Sequence, residues 1–253
     1  MAPFVVAHVS DPHLDGGERN AERAARVMTY LNELPGPVDA VLITGDIADH
    51  GLAQEYEQAR KLLTSPLPLF TCPGNHDGRA AYREVLLGEE PADGPVNRLY
   101  EVAGAAFALC DSSIPGRADG FLADETLDWL DAALSALSRS GSGTPVFVGF
   151  HHPPVTLHSP FIDAIRQHGE ERLADLIRRS PQVVAVLCGH AHTAAASTFA
   201  GRPVLVAPGV VSTLRLPWER GNVLALDLPP AIAFHVLDDE RRLTTHFRVV
   251  PAG

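Results

Sequence analysis

Phe4-Val5-Val6-Ala7-His8-Val9-Ser10-Asp11-Pro12-His13 is an apolar, largely β-branched run that breaks off into a carboxylate and an imidazole two positions apart. Such a run reads as a buried strand, and the polar pair marks its end. The pattern recurs four times. Residues 38–43 lead into Gly45-Asp46, 67–71 into Gly74-Asn75-His76-Asp77, 146–150 into His151-His152-Pro153-Pro154, and 183–187 into Gly189-His190-Ala191-His192. Five strand ends carrying this chemistry are expected to converge on one rim of a sheet.

Between the first strands, residues 18–34 place Ala21, Ala24, Ala25, Val27, Met28 and Leu31 at helical spacing before Pro35-Gly36-Pro37 stops the helix. A second helix is predicted over 52–63. The resulting β-α-β-α-β order predicts parallel pairing with crossover helices. Further on, 99–102 and 105–110 read as a hairpin around Gly104, and 111–120 as a loop able to reach the site. Helices are predicted over 123–137 and 170–179, with a polar connector at 138–144. Past His192 the rhythm is strands only, at 195–199, 203–207, 222–227, 232–236 and 244–250, expected mainly in a second sheet. The motifs run from residue 11 to residue 192 and cannot be divided, so residues 1–253 are read as one domain.

Hydrophobic residues make up 45% of the chain, enough for a sizeable core, and charged residues make up 20%, as in ordinary globular proteins. A formal net charge of −11 disfavours broad attachment to long nucleic acid or an anionic membrane, both of which call for a basic face. A small anionic substrate held by bound cations stays compatible with that charge. The chain enters its first strand within three residues of Met1, without a leader-like stretch, and no segment approaches the roughly 18 consecutive apolar residues of a spanning helix. A cytoplasmic location is the expectation. Cys72, Cys110 and Cys188 all fall at predicted strand ends and read as small buried hydrophobes.

The residue types in the blocks suit metal binding. Asp11 with His13, and His190 with His192, pair ligands two apart, which an extended strand end would turn to the same side. Asp46 stands alone behind a glycine, and a carboxylate bridges two cations best. Asn75 adds an amide oxygen and His151 a further nitrogen. With Asp46 counted twice, Asp11, His13, Asp46, Asn75, His151, His190 and His192 supply four ligands to each of two metals and leave positions open for water and substrate.

In this order the five blocks resemble the calcineurin-like metallophosphoesterase superfamily. Gly45-Asp46-Ile47-Ala48-Asp49-His50-Gly51, the Asp111-Ser112-Ser113-Ile114-Pro115-Gly116 loop and His151-His152-Pro153-Pro154 are most similar to its bacterial class III cyclic-nucleotide phosphodiesterase and glycerophosphodiesterase group. The resemblance implies an α/β fold, a four-layer α/β/β/α sandwich with a dinuclear metal site at the strand ends. The metals implied are two divalent or trivalent ions: iron with manganese, two manganese, or zinc. Asp11, His13, Asp46 and His192 would hold the first, and Asp46, Asn75, His151 and His190 the second. His76 matches the non-ligand histidine that meets the leaving group, with Asp77 behind it as an orienting partner. The implied reaction is hydrolysis of a small phosphodiester, a 3′,5′-cyclic nucleotide such as cAMP or a glycerophosphodiester, by water activated between the cations. The alternatives are a broad phosphomonoesterase and, with the ligand set complete, less readily a non-catalytic scaffold. A homodimer is favoured by the resemblance.

Other polar residues have ordinary readings beside functional ones. His152 packs against the metal cage or faces substrate, while its neighbour His151 takes the ligand role. His50 and His158 lie in motif-adjacent loops that could contact substrate. Arg215, in a Pro-containing loop with Arg220, could bind phosphate, against the plainer reading of a surface arginine. His168 and the Arg172, Arg178 and Arg179 cluster read as solvated.

Overall fold

The computed structural model describes residues 3–141 and 143–251. The first half contains β1 (Phe4–Val9), α1 (Glu18–Asn32), β2 (Ala40–Thr44), α2 (Ala53–Leu62), β3 (Leu69–Cys72) and α3 (Arg79–Ala81), which runs into a π-helical segment, Tyr82–Leu87. Next come β4 (Arg98–Val102), β5 (Ala105–Leu109), β6 (Gly120–Phe121), α4 (Asp124–Arg139), β7 (Val146–Gly149), α5 (Pro160–Asp163), β8 (Gln167–His168), α6 (Glu171–Arg178) and β9 (Val183–Cys188). The tail comprises β10 (Ala195–Phe199), β11 (Arg202–Val206), β12 (Thr213–Leu214), β13 (Leu224–Ala225), β14 (Ala231–Leu237) and β15 (Leu243–Val249).

Two sheets face each other. One has the order β15-β14-β1-β2-β3 and the other β10-β11-β9-β7-β5-β4. The inner strands pair in parallel, with Val6 opposite Ala40, Val41 opposite Leu69 and Val148 opposite Val186. β2 is buried at every position because it has a helix layer on one side and the second sheet on the other, hence its unbroken apolar sequence. Val6, Leu42, Phe107, Phe147 and Leu187 belong to the core between the sheets, where the Phe107 and Phe147 rings stack at a centroid distance of 5.3 Å. Ala24, Val27, Met28 and Leu31 of α1 pack against Val9, Val41 and Ile43 on the outside of the first sheet. Leu127, Leu130 and Leu134 of α4, with Leu173 and Leu176 of α6, do the same on the second. The order of layers is α/β/β/α, and the three cysteines are free and buried within it.

The tail departs from its expected place. β10 and β11 do extend the second sheet, but β14 and β15 return to the first, with β14 antiparallel to β1. Period-2 patterning states that a strand has a buried face and leaves its partner open. Residues 222–227 form only the short strand β13, paired with β12 in a separate two-stranded hairpin. His168, read as a solvated residue, pairs with Phe121 in a short parallel ladder. Of the connector at 138–144, Ser138 and Arg139 end α4, and residue 142 lies outside the described residues.

β1, β2 and β3 of one sheet and β7 and β9 of the other all deliver their C-terminal ends to one edge, and backbone bonds stitch that edge together. Asp11 N–H donates to the Gly45 carbonyl at 3.2 Å, and Gly189 N–H to the His151 carbonyl at 2.9 Å. His190 N–H donates to the Asp11 carboxylate at 3.1 Å and so links the two sheets.

Candidate metal centre

The seven residues singled out at the strand ends meet here. Asp46 Oδ2 lies 3.4 Å from His13 Nε2 and 3.2 Å from His151 Nε2, between two imidazoles that come from different sheets. A shared carboxylate has to occupy such a position. On one side, His192 Nε2 is 3.4 Å from Asp11 Oδ1 and 3.2 Å from His13 Nε2. On the other, His190 Nδ1 is 3.2 Å from His151 Nε2. Asp11, His13 and His192 form one group with metal-ligand spacing, and Asp11, Asp46 and His151 another.

The local backbone is unusual. Asp11, His13, Asp46, His190 and His192 have φ angles of 57°, 42°, 49°, 67° and 48°, all in the left-handed region. The extended geometry expected for Asp11-x-His13 and His190-x-His192 is therefore replaced by single left-handed residues that turn each side chain back toward the rim. Asp and His tolerate this conformation better than most residues, yet it costs about 1 kcal/mol or more at each position. Two glycines leave room for the ligands: a Cβ on Gly45 would lie 2.5 Å from His151 Nδ1, and one on Gly74 would fall inside the Asp46 carboxylate.

Partners behind the ligands fix which ring nitrogen faces inward. His13 Nδ1 bonds Asp49 Oδ1 at 2.9 Å, His151 Nδ1 the Thr44 carbonyl at 2.7 Å, and His192 Nδ1 the Ser212 hydroxyl at 2.7 Å. Each leaves Nε2 for the centre. The Thr44 contact continues into the core as a chain of donors. Ser10 donates to the Thr44 carbonyl and the Thr44 hydroxyl to Ser10, both at 2.9 Å, while His8 Nε2 is 2.9 Å from the Thr44 hydroxyl. His8 Nδ1 then meets His235 Nε2 at 2.9 Å, and His235 Nδ1 meets Thr245 Oγ1 at the same distance. Burial holds both imidazoles well below their ordinary value, His235 at about 3, so both are neutral. With both hydroxyl protons already used, each ring must carry its proton on Nε2.

Electrostatics at the rim suit cations. Burial alone would raise the Asp11 carboxyl, but His192 and His151 overcome it and bring it down to about 2. Asp46 is likewise buried and is held well below the carboxylate range by His151 and His13. Against its own burial, His151 is pushed up to about 9 by Asp46 and Asp11, so the site favours positive charge. His190 instead drops to about 3 through burial and the neighbouring His151. Asn75 Oδ1 and His190 Nε2 are buried without a hydrogen-bond partner. The orphaned amide oxygen of Asn75 beside two ionised carboxylates fits a dinuclear centre.

Several expected site residues sit differently. Asp77 makes no hydrogen bond to His76. Its carboxylate accepts from the backbone N–H of Ile47, Ala48 and Gly74, at 3.2, 3.0 and 2.8 Å, and from the Tyr56 hydroxyl at 2.9 Å. Adjacent residues on a turn face different ways, and Asp77 braces the two ligand loops; burial and Asp46 raise it to about 6. The partner of His76 is Asp49, whose carbonyl accepts from Nδ1 at 2.7 Å. Asp49 thus serves both His13 and His76, and its place in the Gly45-to-Gly51 block was the available signal. His50 is exposed, bonds Glu55 at 2.7 Å and lines a smaller cleft on the far side of His76. His158 is exposed and lines neither cleft beside His76. Arg215 turns to Asp227, 3.7 Å away within the tail hairpin, and is absent from the cleft lining. His152 is buried beside His151 and His190, with Nδ1 2.8 Å from the Ser112 hydroxyl, so residues 111–120 do reach the centre.

Comparison with known proteins agrees with this geometry. A probable cyclic nucleotide phosphodiesterase from Rhodococcus erythropolis is 34% identical over 98% of this chain and 83% of its own length. The glycerophosphodiester phosphodiesterase GpdQ of Enterobacter lignolyticus is 34% identical over 92% of this chain and 86% of its own. A solved dimetal phosphatase from Danio rerio superposes with a TM-score of 0.72 at 16% identity, covering 98% of this chain and 96% of that one, a likeness of fold. Residues 4–194 match the calcineurin-like phosphoesterase family, and with five ligand-bearing strand ends gathered on one rim of an α/β/β/α sandwich the chain belongs to that family.

Proposed function

We propose that this protein is a metal-dependent phosphodiesterase acting on small diesters, 3′,5′-cyclic nucleotides or glycerophosphodiesters. The carrying observation is the Asp46 carboxylate set between His13 and His151, with a non-ligand histidine, His76, on the same loop as Asn75. Relatives at 34% identity named for both substrate classes support the reading. Asp11, His13, Asp46 and His192 would hold one ion, and Asp46, Asn75, His151 and His190 the other. Two ions bound there supply an activated water and offset charge on the phosphoryl oxygens.

The chain's own residues supply the rest. Asp49 holds His76 by its Nδ1, leaving Nε2 free at the cleft that also exposes His13, Asp46 and Asn75. From there it can protonate a departing alkoxide, a step worth roughly 10²- to 10⁴-fold. No protein nucleophile is required, and the buried, unactivated thiols offer none. The mixed oxygen and nitrogen donors fit iron with manganese, two manganese, or zinc. Among the described residues no helix is long and apolar enough to cross a membrane. We place the enzyme in the cytoplasm as a homodimer, the latter checked by light scattering.

The test is hydrolysis of bis(p-nitrophenyl) phosphate, p-nitrophenyl phosphate, 3′,5′-cyclic AMP and glycerophosphocholine by metal-stripped protein reloaded with manganese. Metal-dependent cleavage of diesters well above the monoester supports the reading. Dominant monoester cleavage replaces it with a phosphomonoesterase.

A further inference from the structure

A cleft of about 350 Å³ opens over the metal ligands, and its two sides differ in kind. The floor is His13, Asp46, Asn75, His76, His190 and His192. Above it stand Phe161, Ile162 and Ile165 from the region of α5, and Leu214, Leu224 and Leu226 from the tail hairpin; no lysine or arginine lines the space. Phe161, Leu224 and Leu226 are 57%, 43% and 56% exposed, whereas Ile162 and Leu214 are buried in the core, so the first three are the side chains open to a substituent. A phosphoryl group seated on the floor leaves its ester substituent in the same cavity, beside these side chains.

The hairpin carrying Leu224 and Leu226 is strapped down from a distance. Arg19 of α1 donates through Nη2 to the Val211 carbonyl at 2.9 Å and the Leu226 carbonyl at 2.6 Å. One turn later Arg23 donates from Nε to the Val210 carbonyl at 2.7 Å and from Nη2 to that of Leu228 at 2.8 Å. Two guanidinium groups thus hold both feet of the hairpin on one helix face. The same feet reach the metal ligands: Val211 N–H donates to the Asp11 carbonyl at 3.1 Å, and Ser212 holds His192.

We infer that Leu224 and Leu226, with Phe161 and Ile165 opposite, form an uncharged apolar subsite for the substrate's second ester group, kept in place by Arg19 and Arg23 as positioning residues. It rests on the phosphodiesterase reading. The preferred substrates are monoanionic diesters bearing an aromatic or branched-alkyl group, because such a group is desolvated against the wall whereas an anionic group finds no lysine or arginine in the cleft. A dianionic monoester has no second ester group to place there and meets no lysine or arginine for its second charge.

The experiment uses a p-nitrophenyl diester series with a common leaving group and a varied second ester: methyl, phenyl, 3-carboxypropyl and 3,3-dimethylbutyl, an uncharged group of similar size to the carboxypropyl. With the manganese-loaded enzyme, phenyl should exceed methyl in kcat/KM by about tenfold or more, the scale at which apolar pockets discriminate, and dimethylbutyl should exceed carboxypropyl. Leu226→Ser and Phe161→Ser should pull the phenyl-to-methyl ratio toward one. Arg19→Gln, at an exposed position, should raise KM for the phenyl ester more than it lowers kcat, with metal content unchanged; Arg23→Lys checks the same strap. Equal rates for all four esters, or carboxypropyl at or above dimethylbutyl, overturn the subsite while the phosphodiesterase reading stands. Failure to cleave any of them with metal bound overturns the reading beneath it. An unaltered KM in Arg19→Gln removes the positioning role alone.

Discussion

The floor and the wall of the cleft are built by opposite rules. Most floor residues sit at or just past a strand end and are buried or nearly so, and several are held by a specific partner, as His13 is by Asp49 and His192 by Ser212. The wall comes from short elements between the strands, exposes leucine and phenylalanine, and is fixed only at its feet. The lesson is a division of labour. Chemistry is placed where the two sheets make the backbone stiff, and choice of substrate where the chain can change without moving a ligand.

That division predicts that floor variants lower turnover on every ester alike, whereas wall variants change only the order of preference. The largest effect belongs to Asp46→Ala, which removes the shared ligand: a loss of roughly 10⁴-fold or more in kcat/KM, with metal analysis showing both sites depleted. His76→Ala comes next, losing about 10²- to 10⁴-fold in kcat while retaining both metals by elemental analysis. If the metals leave as well, His76 belongs to the ligand set and the floor is larger than described. Asp49→Asn is smaller, about 10- to 100-fold in metal affinity or activity, since its carboxylate supports His13 from behind while the bond to His76 is made by its backbone carbonyl and survives. A variant of Asp49 that reorders ester preference would break the separation of floor from wall.

The smallest effect lies beneath the floor and concerns stability. His235 is held at about 3 by burial, below the value near 6.5 expected in the unfolded chain. Because the folded value is depressed, its contribution is complete above about pH 6.5. It is lost as the pH falls from 6.5 toward 3, by about 1.4 kcal/mol per pH unit. Urea denaturation between pH 7.5 and 5 should show stability falling with pH, His8 adding to the effect because burial depresses it too, and His235→Gln should lower stability at pH 7.5 while making the slope shallower. An unchanged slope would mean that the imidazole is not neutral in the core.

The contrast also explains what could be read from residues alone. Asp11, Asp46 and His190 were legible because the types of side chain that bind metal follow apolar runs whose direction is set by parallel pairing. Asp77 was misplaced because neighbours in sequence point apart on a turn, and Asp49 was passed over although it lies in a quoted block. Leu224 and Leu226 alternate within 222–227 and read as an ordinary strand, since nothing local states that a strand faces a cleft. Arg19 and Arg23 meet carbonyls near residue 210 and beyond, a relation that helical periodicity does not encode. The placement of β14 and β15 was hidden for the same reason: partner choice is a long-range property.

The left-handed backbone at Asp11, His13, Asp46, His190 and His192 means that function and folding pull in opposite directions at these positions. Glycine at any of them relaxes the turn while deleting a candidate ligand, and at Asp46 it also removes a carboxylate that accepts from His76 N–H and faces His13 and His151. Backbone strain is thus a standing cost at each of the five positions, set against the contacts that its side chain makes.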